Sequence, residues 1–347
     1  MDISVNCSDP YSVHLNKGIL NEIYKYINKD KKFFIITDEN VAEIYLDDFE
    51  KIFENQKIKY HSMILPAGEN TKSIFWYERI VNELAKNLFD RNDAIIALGG
   101  GVIGDISGFV AGTYRRGIDF YQIPTTLLSA IDSSIGGKNA INIERGKNLV
   151  GLFYQPKAVF IDPNVFKSLP DDVFEDGFGE IIKYAMIASP DLFEKIENHR
   201  YEISDDMTEI VEECIKIKKY FVENDEKETG IRKKLNFGHT IGHAIERMNK
   251  FEKMHGHCIS MGMDWITKIS TIEGYCDGST YNRLLNLLQK YNLFILIFEN
   301  TEDLISEIQN DKKIHNGKID VIIPIEIGKC EIKTFELKEF SNMIRKI

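Results

Sequence analysis

The sequence contains few cysteines, and their distribution argues against a shared structural role. The five (Cys7, Cys214, Cys258, Cys276 and Cys330) are scattered, odd in number and include no CxxC pair. A disulfide framework and a structural zinc finger are therefore not expected. Reduced thiols are typical of cytoplasmic proteins, and we expect that location for this chain.

The sequence also lacks long hydrophobic runs. The apolar run from Leu293 to Phe298 is far too short to cross a bilayer. The N-terminal segment MDISVNCSDPYS has no basic region followed by an apolar stretch, so a secretory signal is not expected. We therefore expect no membrane partner.

An excess of positive charge is missing as well. Lysine and arginine number 43 against 54 acidic residues, which gives a net charge of −11. A general nucleic-acid binder usually presents a basic surface, so nucleic acid is not an expected partner. The chain length of 347 residues suits about two domains. A hydrophobic fraction of 43% and a charged fraction of 28% are typical of a globular protein and disfavour disorder.

Strand-like and helix-like segments alternate in the first half of the chain. Strands are predicted at Lys31–Thr37, Tyr60–Leu65 and Asp93–Leu98, and helices at Ser73–Leu88 and Val102–Tyr114. This alternation is typical of a parallel sheet covered by helices. The first half is therefore predicted to be a Rossmann-like α/β domain.

The second half has mainly helical periodicity, for example at Asp205–Asn224 and His239–Met248. Strand signals return only near Lys318–Pro324 and Lys329–Phe335. The residue before a proline disfavours helix, so the boundary is predicted near Leu169 and Pro170. We predict an α/β domain at 1–170 and a mostly α-helical domain at 171–347.

A glycine loop, GGGVIGD, follows a predicted strand and opens a predicted helix. Gly99, Gly101 and Gly104 fit the G-x-G-x-x-G pattern in the context that it requires. Glycines let the backbone approach a pyrophosphate, whose charge lies at the helix N-terminus. The loop thus predicts dinucleotide binding, although a tight turn without a ligand is the alternative. The acid that binds the ribose is either Asp119, about 20 residues beyond the loop, or Asp38, at the end of the first clear strand.

Four of the eight histidines lie close together in the sequence. His239 and His243 are four residues apart and would share one helical face, whereas His255 and His257 flank a glycine. Two histidines with a carboxylate and an open position suit a catalytic zinc. The spacing does not decide which histidines bind, and solvated or core histidines are the alternative.

A carboxylate is the natural third ligand of such a site. Glu180, in the motif GFGEIIKYA, is favoured by its glycine and apolar neighbours. The spacing leaves Glu175 and Asp176 open as alternatives.

Basic residues lie inside apolar or small-residue motifs although the chain is acidic. Each of them alone is more typical of a surface charge. Together with a metal and a phosphate loop, they favour a small substrate that carries several negative charges, which arginines and lysines can hold. These residues are Arg116, Lys138, Lys147, Lys183, Lys218 and Arg232.

Six motifs occur in one order along the chain: GGGVIGDISGFVAGTYRRG, IPTTLLSAIDSSIGGKNAIN, GKNLVGLFYQP, GEIIKYA, DEKETGIRKKLNFGHTIGHAIE and HGHCISMGM. The set resembles the 3-dehydroquinate synthase family, sugar phosphate cyclases of the shikimate route to aromatic amino acids. Recognisable motifs extend from Asp38 to Lys313, nearly the whole chain.

The resemblance implies NAD+ in the first domain and a metal, usually zinc with cobalt as a possible substitute, in the second. It assigns the metal to Glu180, His239 and His255, and it makes Asp38, not Asp119, the acid on the adenosine side. The residues that it assigns to NAD+ are Asp38, Asn40, Glu69, Lys72, Gly99, Gly100, Gly101, Val102, Asp105, Thr125, Thr126, Asp132, Lys138, Lys147, Ser168 and Leu169.

The resemblance also implies the substrate, a phosphorylated sugar acid. The reaction would convert 3-deoxy-D-arabino-heptulosonate 7-phosphate to 3-dehydroquinate and phosphate. Its steps would be transient oxidation by NAD+, β-elimination of phosphate, re-reduction and aldol closure. The resemblance also implies that the protein is a homodimer. The implied substrate residues are Arg116, Asp132, Lys138, Lys147, Asn148, Lys218, Arg232, Asn236, His243 and Lys312, the last favoured over Lys313. Catalytic roles are implied for Lys138, Lys183, Lys218, Arg232, Asn236 and His243.

Three other functions are weighed against this one. A related cyclase that makes an inosose or a valiolone would share the machinery, but Arg116, Asn148, Arg232 and Asn236 together favour a carboxylated substrate. A metal-dependent polyol dehydrogenase tends to lack the lysine set, and a non-catalytic nucleotide-binding module would not need so many cations. His257 departs from the family, which most often has Glu or Gln there, and could add a nitrogen near the metal.

Overall fold

The architecture changes from mixed to mainly helical along the chain. The structure, a computed structural model, describes residues 1–250, 252–294, 300–309 and 316–347. An α/β region with a largely parallel sheet comes first, and a mostly helical region follows. The predicted fold class is confirmed. None of the helices in the described ranges has the length and apolar character needed to cross a bilayer.

Two compact units are present, and one of them takes a segment from the middle of the chain. The first contains residues 1–169 and 206–227, and the second contains 170–205 and 228–347. The predicted division gave all residues after 170 to one domain, which is wrong for 206–227. The helix Thr208–Asn224 packs against the strand Asp2–Val5 and the turn Ser129–Ser133. Its periodicity predicts the helix and its apolar face, but it does not reveal the partner of that face.

The first unit is built on a sheet of seven strands among the described residues. Their order across the sheet is β1-β2-β9-β6-β5-β3-β4, and all neighbours are parallel except β1 and β2. A separate hairpin pairs β7 with β8. The strands are β1 (Asp2–Val5), β2 (Tyr11–Leu15), β3 (Phe33–Asp38), β4 (Tyr60–Leu65), β5 (Ala94–Gly99), β6 (Asp119–Pro124), β7 (Lys138–Ile143), β8 (Gly146–Phe153) and β9 (Ala158–Ile161).

The order of the strands reverses beside the glycine loop. From β3 the chain moves outward to β4, and it then returns to the other side of β3 to form β5 and β6. The carboxyl ends of β3 and β5 therefore flank the point at which the chain changes direction across the sheet. In open α/β sheets this switch point is where ligands bind. Asp38 ends β3, and Gly99 ends β5.

Helices and short helical turns complete the first unit. The helices are α1 (Asp47–Asn55), α2 (Ile74–Lys86), α3 (Gly101–Thr113) and, after the second unit has begun, the helix Thr208–Asn224. The shorter segments are Ile19–Lys25, Glu39–Val41, Ala42–Leu46, Glu69–Thr71, Tyr114–Arg116, Ser129–Ser133 and Pro163–Ser168. The side chains of α3 pack into an apolar core with β3 and β5, to which Phe34, Ile36 and Ile95 contribute.

The second unit is helical apart from one antiparallel hairpin in its described part. The helices, numbered on in chain order with Thr208–Asn224 as α6, are α4 (Asp171–Ala188), α5 (Pro190–Asn198), α7 (His239–Met248), α8 (His255–Ile272), α9 (Gly278–Lys290), α10 (Thr301–Gln309) and α11 (Leu337–Ile344), with a short turn at Ile231–Asn236. The hairpin strands are β10 (Lys318–Glu326) and β11 (Lys329–Glu336). Helix α8 packs against both α4 and α7. Helix α4 carries Glu180, and α7 and α8 carry the histidine motifs.

Candidate metal centre and cofactor-binding residues

Three potential metal ligands from three helices meet in the second unit. Glu180 lies in α4 and is fully buried, whereas His239 and His255 are the first residues of α7 and α8. Oε1 of Glu180 is 3.6 Å from Nε2 of His239 and 3.5 Å from Nε2 of His255. One ligand atom from each residue lies within 4.8 Å of the other two. The structure thus brings together the three residues to which the resemblance assigned the metal.

The chemistry of these side chains fits a divalent cation. Oε1 of Glu180 is buried and makes no hydrogen bond to the described residues, a costly state for a carboxylate oxygen that a cation would relieve. Its Oε2 accepts a hydrogen bond from Nζ of the buried Lys183. Nδ1 of His239 is 3.0 Å from the carbonyl oxygen of Phe237, and Nδ1 of His255 is 2.9 Å from Oε1 of Glu246. Each Nε2 is left facing Glu180, the arrangement typical of metal-bound histidines.

Glycines bring the helix backbones close enough for these ligands to meet. A Cβ on Gly256 would lie 1.9 Å from the carbonyl oxygen of Asp176, and a Cβ on Gly179 would lie 2.5 Å from the carbonyl oxygen of Gly256. Only glycine permits this approach of α4 to α8. Gly238 has a φ of 77° immediately before His239, a left-handed conformation that side chains disfavour. The glycines of GFGE, NFGH and HGH therefore have a packing role.

The charge on His255 bears on metal binding. Burial disfavours the protonated ring, but the carboxylates of Glu180 and Glu246 outweigh burial and raise the pKa of His255 to about 10. A metal ligand must be the neutral imidazole, so metal binding has to release this proton.

The two other histidines of the motif lie in different surroundings. His243 is half-buried, and its Nε2 is 4.0 Å from Oε2 of Glu246. His243, Glu246 and His255 form a second group whose ligand atoms lie within 4.8 Å of one another. His257 belongs to neither group. Its Nδ1 lies 2.8 Å from Oδ1 of Asp176 instead.

The carboxylates that spacing left open are engaged elsewhere. Asp176 accepts a hydrogen bond from the backbone N–H of His257 at 2.9 Å, in addition to its contact with the ring. Glu175 pairs with Arg200 at 2.9 Å. Of the three candidates, only Glu180 lies in a group that could hold a metal ion within the described ranges.

The cationic residues of the second unit are more buried than their sequence context indicates. Arg232 is only 1% exposed, so it is not the surface charge that a single arginine typically is. Asn236, on the same short turn, donates from Nδ2 to Oε1 of Glu228 at 2.5 Å. Lys183 is 1% exposed. The assignment of Lys312 lies outside the described residues.

In the first unit, the glycine loop presents the start of α3 at the switch point of the sheet. Gly100 is the N-cap residue and makes no side-chain hydrogen bond to the helix, and the N–H groups at a helix start are a common anion-binding site. Asp38, at the end of β3, accepts hydrogen bonds at Oδ1 from the N–H groups of Asn40 and Val41, at 3.0 and 3.1 Å. Burial raises the pKa of Asp38. Asp119 lies at the opposite end of its strand and pairs with Lys31 at 2.9 Å. This arrangement fits a dinucleotide and favours Asp38 over Asp119.

Lys72, which is buried, is the centre of a polar network beside the loop. Its Nζ donates to Oδ2 of Asp105 at 2.5 Å and to Oδ1 of Asn148 at 2.7 Å, and it is 3.8 Å from Oε1 of Glu69. Nζ of Lys147 is 3.9 Å from the same Glu69 oxygen. Burial raises the pKa of Asp105, and the Lys72 ammonium opposes that effect. Five predicted residues are therefore brought together here.

Other predicted residues of the first unit lie in separate contacts. Lys218 donates from Nζ to Oδ1 of Asp132 at 2.6 Å and to the Asp132 carbonyl oxygen. Arg116 is exposed with a φ of 65°, and Lys138 is exposed at the start of β7.

The hydroxyl residues assigned to NAD+ lie in two places. Thr125 and Thr126 follow strand β6, and Ser168 lies at the end of the segment 1–169. Thr125 is buried and donates its backbone N–H to the Gly99 carbonyl oxygen at 3.0 Å, which ties the ends of β6 and β5. Thr126 bonds through Oγ1 to Ser129 Oγ at 2.8 Å. Ser168 is exposed and lies 2.6 Å from the Tyr45 hydroxyl, beside Leu169.

Sequence reasoning missed two carboxylates that contact predicted site residues. Glu246 bonds to His255, and Glu228 bonds to Asn236. The spacing of His243 and Glu246, three residues apart on a predicted helix, is the signal that would have indicated the first. No comparable signal exists for Glu228, whose contact depends on the turn at Ile231–Asn236.

Comparison with known proteins identifies the family. The N-terminal domain of 3-dehydroquinate synthase matches residues 62–176, and the C-terminal domain of the same enzyme matches 177–314. A 3-dehydroquinate synthase of Clostridium acetobutylicum is 44% identical over 342 residues and spans 96% of each chain. The chain belongs to the 3-dehydroquinate synthase family. A second 3-dehydroquinate synthase, from Clostridium botulinum, is 42% identical and spans 95% of this chain and 96% of its own.

The fold is shared more widely than the 3-dehydroquinate synthase family. A crystal structure of 2-deoxy-scyllo-inosose synthase with carbaglucose-6-phosphate, NAD+ and Co2+ has a TM-score of 0.90 at 24% identity, covering all of both chains. The 2-epi-5-epi-valiolone synthase of Streptomyces hygroscopicus, with NAD+ and Zn2+ bound, has a TM-score of 0.88 at 21% identity over 99% of each chain. At these identities the likeness is one of fold.

Proposed function

We propose that this chain converts 3-deoxy-D-arabino-heptulosonate 7-phosphate to 3-dehydroquinate and inorganic phosphate, with NAD+ and a divalent metal, zinc or cobalt, as cofactors. The observation that carries the proposal is the buried group of Glu180, His239 and His255 in a chain of this family. A carboxylate oxygen and two imidazole nitrogens suit a catalytic metal with an open position.

Each cofactor has a proposed set of residues. Glu180, His239 and His255 would hold the metal. The N-terminal amides of α3, Lys72 and Asp38 would hold NAD+, with Oδ2 of Asp38 on the ribose because Oδ1 caps the segment at Glu39–Val41. When bound, the metal supplies polarisation of a hydroxyl or ketone, and NAD+ supplies reversible hydride acceptance.

The side chains of the second unit have proposed roles toward the substrate. Arg232 presents a planar fork of donors that suits a carboxylate or phosphate oxygen, and Asn236 lies on the same short turn. Lys183 supplies a buried positive charge that favours an anion developing in the reaction. His243, with Nε2 near Oε2 of Glu246, would hold or move a proton at Nε2. Lys312 is proposed as a further substrate cation.

The first unit also has proposed substrate residues. Lys218 and Asp132 are paired, and Lys147 and Asn148 lie at the edge of the Lys72 network. Lys138 and Arg116 are exposed cations that we assign to the anionic substrate. Because the substrate has a carboxylate and a phosphate, several cations are needed to offset its charge.

We also propose that the chain acts in the cytoplasm as a homodimer. Its five cysteines are free, and four of them are buried. Large exposed apolar side chains at Ile74, Phe75, Leu149 and Val150 in the first unit support an association surface.

The experiment is one assay on the full chain. Purified protein receives NAD+, Zn2+ and the heptulosonate phosphate, and released phosphate is followed together with NADH absorbance. We expect phosphate and 3-dehydroquinate in equal amounts with no lasting NADH. Accumulation of NADH in step with product would favour a dehydrogenase instead. A sugar phosphate without the carboxylate is the control substrate and should release little phosphate.

A further inference from the structure

Glu246 connects two histidines that the proposed function uses in different ways. It lies in α7, it is 5% exposed, and its two oxygens face different rings. Oε1 is 2.9 Å from Nδ1 of His255, and Oε2 is 4.0 Å from Nε2 of His243. One buried carboxylate thus contacts the first residue of α8 and a side chain of its own helix.

We propose that Glu246 is a positioning residue that fixes the ring of His255 as a metal ligand and aligns His243 beside it. The inference rests on the proposed function for the metal. Glu246 touches neither metal nor substrate in this account, and it acts through the two histidines.

The hydrogen bond at His255 determines which ring nitrogen faces the metal. With Nδ1–H donating to Oε1 of Glu246, Nε2 is left on the side of Glu180, 3.5 Å from its unbonded oxygen. A carboxylate behind a histidine orients the ring, selects the tautomer and makes the ligand nitrogen more basic. Nδ1 of His239 faces the carbonyl oxygen of Phe237 instead. Of the two groups that bond to the Nδ1 atoms of the ligand histidines, only Glu246 is charged.

The contact with His243 couples the metal ligand to the proposed proton carrier. His243 and Glu246 are three residues apart, which places them on one helical face. The ring centroids of His243 and His255 are 6.0 Å apart. A change at Glu246 should therefore affect metal affinity and catalysis together.

The alternative role for Glu246 is that of a metal ligand, because Glu246, His243 and His255 form a group that could itself hold a metal ion. The structure favours the positioning role. In the other group Oε1 of Glu180 makes no hydrogen bond to the described residues, whereas Oε1 of Glu246 is already bonded to His255. The test below separates these two roles.

The experiment compares Glu246→Ala and Glu246→Gln with Glu307→Gln in the full chain. Glu307, in α10, is the matched control. Its carboxylate lies 3.1 Å from Arg247, which is the residue after Glu246 in α7. Zinc affinity is measured by chelator competition, the environment of the metal by the absorption spectrum of Co2+-loaded protein, and folding by thermal melting of the metal-free variants.

We expect Glu246→Ala to weaken zinc binding by about 10- to 100-fold, to shift the Co2+ spectrum, and to lower kcat at saturating zinc. Glu246→Gln keeps an oxygen that can accept the Nδ1–H bond and should lose less. Glu307→Gln should match the wild type in zinc affinity and in spectrum.

Unchanged zinc affinity and Co2+ spectrum in Glu246→Ala would overturn the proposal, even if its melting temperature fell, because that result marks a purely structural residue. If Glu246→Ala does not fold, Glu246→Gln decides, and equality with Glu307→Gln would be the contrary result. Loss of zinc in both Glu246 variants with retention in Glu180→Gln would make Glu246 a ligand and would also overturn it. A wild type that binds zinc yet releases no phosphate would refute the proposed function alone.

Discussion

The two units differ in how their predicted site residues are partnered. In the first, Lys72 already donates hydrogen bonds to Asp105 and Asn148. In the second, three ligand atoms converge on a space beside Glu180 Oε1, which makes no hydrogen bond to the described residues. The polar atoms of the first set satisfy one another, whereas in the second set Lys183 bonds to Oε2 of Glu180 and Oε1 is left for a cation.

This difference predicts that substitutions in the two units affect cofactor binding to different extents. A dinucleotide at the first unit must exchange existing hydrogen bonds for new ones, so the net gain per contact is modest. A cation at the second unit would satisfy the buried Glu180 oxygen that makes no hydrogen bond to the described residues, so loss of the cation leaves that oxygen unsatisfied. Measuring zinc binding and NAD+ binding independently separates the two regions.

Loss of the metal should have the largest effect. A catalytic metal contributes several kcal/mol of transition-state stabilisation, which corresponds to about a thousandfold or more in rate. We expect chelation, or Glu180→Ala, to lower phosphate release by at least that factor, and added zinc to rescue only the chelated wild type. Calorimetry with NAD+ is the control, and it should show unchanged binding by the first unit. Activity that survives chelation would contradict the claim that the second unit depends on a bound metal.

Arg232→Lys should have the next largest effect. The guanidinium is 1% exposed, and a lysine cannot reproduce its planar pair of donors. Loss of a buried charged contact costs about 2–4 kcal/mol, which is roughly 30- to 1000-fold in kcat/KM. Zinc content and NAD+ binding should not change. The control is Arg200→Lys, because Arg200 is an exposed residue paired with Glu175. A kcat/KM within about twofold of wild type for Arg232→Lys would remove Arg232 from the site.

Removing Lys72 and Asp105 should affect NAD+ more than the phosphorylated substrate. Lys72→Met is combined with Asp105→Asn, so that no buried carboxylate is left without its cation. We expect the KM for NAD+ to rise about tenfold or more, because a hydrogen bond to a charged group is worth about 1.5–3 kcal/mol. The matched control is Lys31→Met, which breaks the Lys31–Asp119 pair at the other end of the sheet. Equal KM values for the two variants would favour a purely structural network.

Gly256→Ala should have the smallest effect on activity, acting through stability. The added Cβ would lie 1.9 Å from the Asp176 carbonyl oxygen, so α4 and α8 must separate. Overpacking of this kind costs about 1–3 kcal/mol. We expect the free energy of unfolding to fall by that amount and zinc affinity to fall with it. Gly278→Ala, which has nothing within 4 Å of its Cβ, should leave both unchanged.

Much of the fold follows from the sequence because its signals are local. The runs at Lys31–Thr37 and Asp93–Leu98 predict strands, which the structure has at Phe33–Asp38 and Ala94–Gly99. The glycine loop between β5 and α3 predicts an anion site at a helix start. Motif order predicts the family. The hairpin of β7 and β8 was not predicted, because its second strand is charged at its start and largely exposed.

The site is less predictable because its ligands come from distant parts of the chain. Helical spacing favours His239 with His243, whereas the structure groups His239 with His255, since α7 and α8 both begin at a histidine. That grouping depends on the contact of α4 with α8 at Gly256, which no periodicity reveals. The resemblance supplied the grouping, and the residue pattern alone left it open.

A crystal structure of the zinc-loaded protein, with the metal located by anomalous scattering, tests the account most directly. We predict one zinc bound by Glu180, His239 and His255 at about 2.0–2.2 Å, with His243 and His257 outside the coordination sphere and an open position left for substrate. A zinc bound by both His239 and His243, or by Glu246 in place of Glu180, would contradict it.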